Sequence, residues 1–294
     1  MRKVYMIIIV AWVLGASATF SVHGATFLKQ GISADDIRSH FRAKHAKILL
    51  VPGHEPAYGG AEYRSDIYER EIVVMIADEL ETLLADEKGI DVYRTRNNEE
   101  WNPTFAHYFE KEWVNINDWI SRNKEKTLRL VEKGKIVDVE NIQHNSAAPD
   151  VATRLYGISK WSNDHDIDIA LHIHINDTPR KDTANIGPYV GFTIYVPEKQ
   201  YSNAKASREI AQYIKKDIEK VMNVSDMPQE SEGIIEDQEL IALGRYNTAD
   251  AASVLVEYGY IYESQFATKE EQRAFARRVA KQTYLGLLDF LRKK

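Results

Sequence analysis

The sequence predicts an α/β fold: a single domain with a mostly parallel, twisted sheet flanked by helices on both faces. Three observations carry this. Short apolar runs bounded by turn residues recur along the chain, as at 47–51, which Pro52 and Gly53 stop. Longer stretches with apolar residues at helical spacing lie between them, as at 66–86. Strands that alternate with long helices pair in parallel, in a sheet covered on both sides.

In order along the chain, Arg2 and Lys3 precede an apolar run over 4–15, and Ala16-Ser17-Ala18 fits a small-x-small cleavage pattern. The run is shorter than the roughly 20 residues of a membrane span. Residues 1–18 therefore read as a secretory signal peptide, with an uncleaved anchor as the alternative. Either reading exports the rest, to the periplasm or to the extracellular side and cell wall, with no stable membrane span after cleavage. Residues 19–45 form a polar lead-in with one short helix. The catalytic domain is expected over 46–294. It opens with the strand at 47–51, a glycine-rich loop through Gly59-Gly60, and a helix over 66–86 marked by Ile72, Val73, Ile76, Leu80, Leu83 and Leu84. A strand follows at 90–93.

Residues 97–150 are less regular, hold Trp101, Trp113 and Trp119, and read as an insertion or cap with a charged helical stretch over 119–134. Then come a helix at 150–163, strands at 168–175 and 190–196, a helix at 203–222, a strand at 253–256 and a helix at 269–291.

Composition narrows the chemistry. Of the 294 residues 44% are hydrophobic, enough for a sizeable core. A net charge of -6 gives no basic surface for nucleic acid. There are no cysteines, so disulfides, thiolate nucleophiles and cysteine metal sites are excluded. A bound metal has to sit on His, Asp or Glu.

The residues able to carry such chemistry lie at the ends of elements. His54 follows the first strand directly, where Gly53 permits a tight turn. Glu69 precedes Ile72, Val73 and Ile76 by three, four and seven residues, so it extends the inward face of its helix. A carboxylate there is costly unless it is paired or holds a metal. The competing reading makes it the third residue of a capping box whose N-cap is Asp66. In Leu171-His-Ile-His-Ile-Asn176, alternation puts His172, His174 and Asn176 on one face. Polar groups at the carboxyl end of a buried strand stand where open α/β sheets bind ligands. Glu257 ends another apolar run in the same way. Two histidines and a carboxylate with an open fourth position make a common catalytic zinc set, and a further glutamate can move the proton. The strand pattern alone does not choose between His172 and His174.

These segments resemble the zinc-dependent N-acetylmuramoyl-L-alanine amidases of the type-3 amidase family. The resemblance rests on Val51-Pro-Gly-His54 followed by Gly59-Gly60, on Glu69 at a helix head, and on Thr95-Arg96 after a strand. It continues through Asn163, Asp168, His172-Ile-His-Ile-Asn176 and Leu255-Val-Glu-Tyr-Gly-Tyr260. It implies that one zinc ion is held by His54, Glu69 and His174, and that Glu257 is the catalytic base and acid. The substrate would be peptidoglycan or muropeptides, cut at the amide between N-acetylmuramic acid and L-alanine by an activated water. His172, Asn176 and Arg96 are left as substrate contacts or supports, and an unidentified activator is a further partner. Three positions depart from the pattern: Val51 replaces an Asp, His172 a Ser and Ile158 an Arg. The alternatives are a zinc peptidase or amidase acting on another exported amide, and a non-catalytic wall-binding protein of the same fold.

Overall fold

The computed structural model describes residues 31–139, 142–144 and 146–293. The signal-peptide reading of 1–18 lies outside them. In chain order the elements are α1 (Ala34–Arg42), β1 (Ala46–Pro52), β2 (Glu62–Tyr63), β3 (Ile67–Tyr68), α2 (Glu69–Ala85), β4 (Ile90–Arg94), α3 (Pro103–Glu132) and α4 (Pro149–Asp164). They continue with β5 (Ile169–Asn176), β6 (Thr193–Pro197), α5 (Ala204–Ile218), β7 (Ile234–Asp237), β8 (Ala252–Tyr260) and α6 (Lys269–Leu291). Among the described residues no helix is long and apolar enough to cross a membrane.

A six-stranded sheet runs in the order β4-β1-β5-β8-β6-β7. β4, β1, β5 and β8 are parallel. β6 runs antiparallel to β8 and parallel to β7, so the sheet is mostly parallel. The central strands are apolar on both sides because helices cover both. On one face Ile48, Leu50, Leu171, Ile173, Val254 and Val256 pack with α1, α2, α5 and α6. On the other, Leu49, Val51 and Ala170 pack with Phe105, Phe109 and Ile116 of α3 and Tyr156, Ile158 and Trp161 of α4. A smaller cluster there joins Leu255 and Tyr195 to Leu243.

Several elements differ from the sequence expectation. α2 begins at Glu69 because Ile67 and Tyr68 form a strand with Glu62 and Tyr63. Asp66 therefore caps nothing; Tyr68 is the N-cap, with no side-chain bond. α3 starts at Pro103, well before 119, behind an Asn102 side chain that accepts from the Thr104 N–H. Its buried stripe is narrow, essentially Phe105, Phe109, Ile116 and Thr127, which dilutes the helical signal. Trp101 and Trp119 pack against this cluster rather than standing free. β6 begins at Thr193, since Phe192 bridges to Val224 instead. α5 ends at Ile218 rather than 222. β8 extends to Tyr260 because Tyr258 and Tyr260 are themselves buried. β7, short and half charged, carried no readable pattern.

Candidate metal centre

The carboxyl ends of β1 and β5 meet the head of α2 at one point. β1 delivers His54 one residue past Gly53, whose N–H donates to the Ile173 carbonyl at 2.9 Å. A β-carbon on Gly53 would fall 2.3 Å from the His174 ring, so only glycine lets the imidazole lie there. Gly60 is confined in the same way: its β-carbon would meet His54 at 2.9 Å and Glu69 at 3.1 Å. His54 itself has φ 68, the left-handed region. For a residue with a side chain this conformation costs on the order of 1–3 kcal/mol and marks a position held by its surroundings.

Glu69 is buried and fully engaged. Its Oε2 lies 2.9 Å from His54 Nε2 and accepts from the Ala61 N–H at 2.7 Å. Its Oε1 lies 3.1 Å from His174 Nδ1 and accepts from the Ile175 N–H at 3.0 Å. Burial alone would raise this acid. His54 and His174 outweigh it and hold the carboxyl well below the usual range. The first helical residue is thus an anion tied to three segments at once.

β5 and β8 supply the other side. Side chains of paired residues share a face, and His174 pairs with Glu257 in register. On its opposite side Glu257 pairs with Thr193 of β6. Glu257 Oε2 is buried with no hydrogen-bond partner. Burial, then Glu69 and Glu230, push this acid well above its ordinary value. His172 sits two residues deeper on the same face of β5. It is almost wholly buried and lines a small cavity of about 10 Å³ with Ile158, Ser159, Ser162 and Ser253. Burial, then His174, push its pKa down to about 3, so it is neutral at physiological pH. The donor atoms that gather within 4.8 Å of one another belong to His54, Glu69 and His174, not to His172.

Arg96 is buried behind the site rather than in it. Its guanidinium donates to the carbonyls of Pro52, Gly53, Arg70 and Asn97. It ties the strand before His54 to the first turn after Glu69. Asn176 donates through Nδ2 to Glu230 Oε1 at 2.9 Å.

Two groups had no sequence signal. Glu230, buried, also accepts from the hydroxyls of Tyr195 at 2.7 Å and Tyr260 at 2.8 Å, and so joins β5, β6 and β8 near Glu257. Glu55, next to His54, accepts from Arg154 Nε at 2.8 Å and from Trp101 Nε1 at 3.2 Å. All of these partners are distant in sequence, so no local spacing announces them.

Two half-buried imidazoles converging on one buried carboxylate fit the donor chemistry of a zinc ion with an open position. The orphaned Glu257 oxygen next to them fits a group that works on a ligand at that position.

The model of the N-acetylmuramoyl-L-alanine amidase family (Amidase_3) matches residues 48–289, from β1 to α6. The chain belongs to this family. Solved amidases share the fold at low identity. An N-acetylmuramoyl-L-alanine amidase from Clostridium difficile 630 aligns with TM-score 0.52 and 16% identity, covering 85% of this chain and 98% of the other. The CwlD amidase from Clostridioides difficile, solved in complex with the GerS lipoprotein, aligns with TM-score 0.55 and 15% identity over 84% and 98%. Ami1 from Mycobacterium abscessus, an N-acetylmuramyl-L-alanine amidase in its apo form, aligns with TM-score 0.55 and 14% identity over 84% and 98%. No curated protein matches the sequence. Val51 and Ile158 both lie in the apolar cluster under α3 and α4.

Proposed function

We propose that this member of the amidase family is an exported, zinc-dependent peptidoglycan hydrolase that cleaves the amide between N-acetylmuramic acid and L-alanine. The observation that carries the proposal is the gathering of His54, Glu69 and His174 donor atoms within 4.8 Å, with Glu257 paired beside His174. Zinc, when bound, supplies Lewis acidity that polarises a carbonyl and lowers the pKa of a water toward about 7.

The chain's own groups do the rest. His54, Glu69 and His174 would hold the ion, and the two backbone N–H groups that donate to Glu69 keep its carboxylate ionised and oriented. Glu257 accepts a proton from the attacking water and returns it to the leaving amide nitrogen. An acid–base group serves best when its pKa lies near the working pH, and burial raises Glu257 in that direction. His172, neutral and enclosed, supports the floor under His174. The lead at 1–18, with its basic start and apolar run, is the support for export.

Digestion of purified muropeptides with mass analysis of the products tests the reading. Release of intact stem peptides with a free L-alanine amine is expected. Cleavage within the stem peptide instead would make the chain a peptidase, and no cleavage by zinc-loaded protein would leave a binding role.

A further inference from the structure

Accepting His54 as a metal ligand, its left-handed backbone needs an explanation. At a residue with a side chain such a conformation is held by the surrounding structure, and here the chain is fixed on both flanks. Upstream, Arg96 holds the carbonyls of Pro52 and Gly53. Downstream, the next residue, Glu55, is 6% exposed, and both its carboxylate oxygens are taken. Oε1 accepts from Arg154 Nε at 2.8 Å, and Oε2 accepts from Trp101 Nε1 at 3.2 Å. Arg154 is itself fixed: its Nη2 donates to Asp150 at 2.7 Å and to the Tyr58 hydroxyl at 3.1 Å. Trp101 is locked edge-on against Phe109 of α3 at 5.1 Å.

We propose that the Glu55–Arg154 ion pair, with Trp101, is a positioning device that holds His54 in its left-handed conformation and so sets how tightly the site keeps its metal. The device joins the metal loop to the 97–150 stretch and α4. Without Arg154, Glu55 is a buried carboxylate short of its cation and turns out to water. The chain then relaxes toward ordinary φ at His54 and withdraws the imidazole. Groups that orient a metal ligand without touching the metal change affinity by about 10–100-fold.

The test is zinc affinity of the full chain, measured by competition with a chromogenic chelator, which needs no turnover. Glu55→Gln and Arg154→Gln should each weaken zinc binding by about 10–100-fold. The double variant should weaken it no further than either single, because the pair acts as one unit. Arg154→Lys should recover part of the loss. Trp101→Phe, which keeps the ring and removes one donor, gives a milder change if either glutamine variant fails to fold. Folded Gln variants that bind zinc within about twofold of wild type, or losses that multiply in the double variant, would overturn the proposal. A wild-type chain that binds no zinc would instead overturn the metal reading itself.

Discussion

The head of α2 places a buried carboxylate, and the carboxyl half of β8 a half-buried one, at the same sheet edge, and the chain surrounds them in opposite ways. Glu69 accepts from the backbone N–H groups of Ala61 and Ile175 and faces His54 and His174. Glu257 has one oxygen with no partner, and its charged neighbours, Glu69 and Glu230, share its sign. Donors and cations favour the ionised acid, while burial beside like charge favours the neutral one. The comparison separates an acid held as an anion from an acid held toward its neutral form. Two acids of the same kind thus differ in charge preference through their surroundings.

The largest effect should come from the proton-exchanging end. Glu257→Gln is nearly isosteric and leaves the ligand set intact, so zinc content should be unchanged while turnover on muropeptides falls by about 10²–10⁴-fold. A variant with near wild-type turnover would mean that the acids do not divide the work in this way.

A second effect separates the two acids by sign in chelator-treated protein. Glu69 has a lowered folded pKa, so its stabilisation is present above its unfolded value and is lost as pH falls. Glu257 has a raised folded pKa, so ionising it at neutral pH works against the fold. At pH 7, Glu69→Gln should therefore lower Tm and Glu257→Gln should raise it, each by several degrees, since about 1 kcal/mol moves Tm by about 2–4 °C in a chain of this size. Shifts of the same sign in a thermal melt would erase the distinction.

The smallest effect concerns the neutral floor. His172 is pushed down to about 3, so between that value and its ordinary one the unfolded chain binds the extra proton. Stability should fall as pH drops through this window, and His172→Gln should flatten the slope. Parallel slopes for the two proteins in acid denaturation would show that His172 accepts its proton without opening the fold.

How legible these regions are in the sequence follows from how local their signals are. β1, β5, β8 and α6 each carry their own period, and α6 covers the predicted 269–291. His54 follows β1 directly, and His174 and Glu257 lie toward the carboxyl ends of β5 and β8, where the same patterns locate them. Glu69 lies on the inward face of α2 but opens the helix, because the short β2–β3 hairpin takes the residues that mimic a capping box. The choice between His172 and His174 is not in the alternation, since both share a face; it depends on how far along β5 the loops from β1 and α2 reach. Glu230, Arg154 and Trp101 reach the site only through contacts between distant segments, for which a single sequence has no spacing rule. Arg96 shows the reverse: its motif is visible in the sequence, and its burial against backbone carbonyls makes it a brace for the loop before His54.

The most direct measurement is the zinc content of the full chain and of two neighbouring variants by native mass spectrometry. The wild type and His172→Ala should each hold one zinc ion per chain, and His174→Ala should hold none. Zinc kept by His174→Ala and lost by His172→Ala, or absent from the wild type, would contradict a centre built on His54, Glu69 and His174.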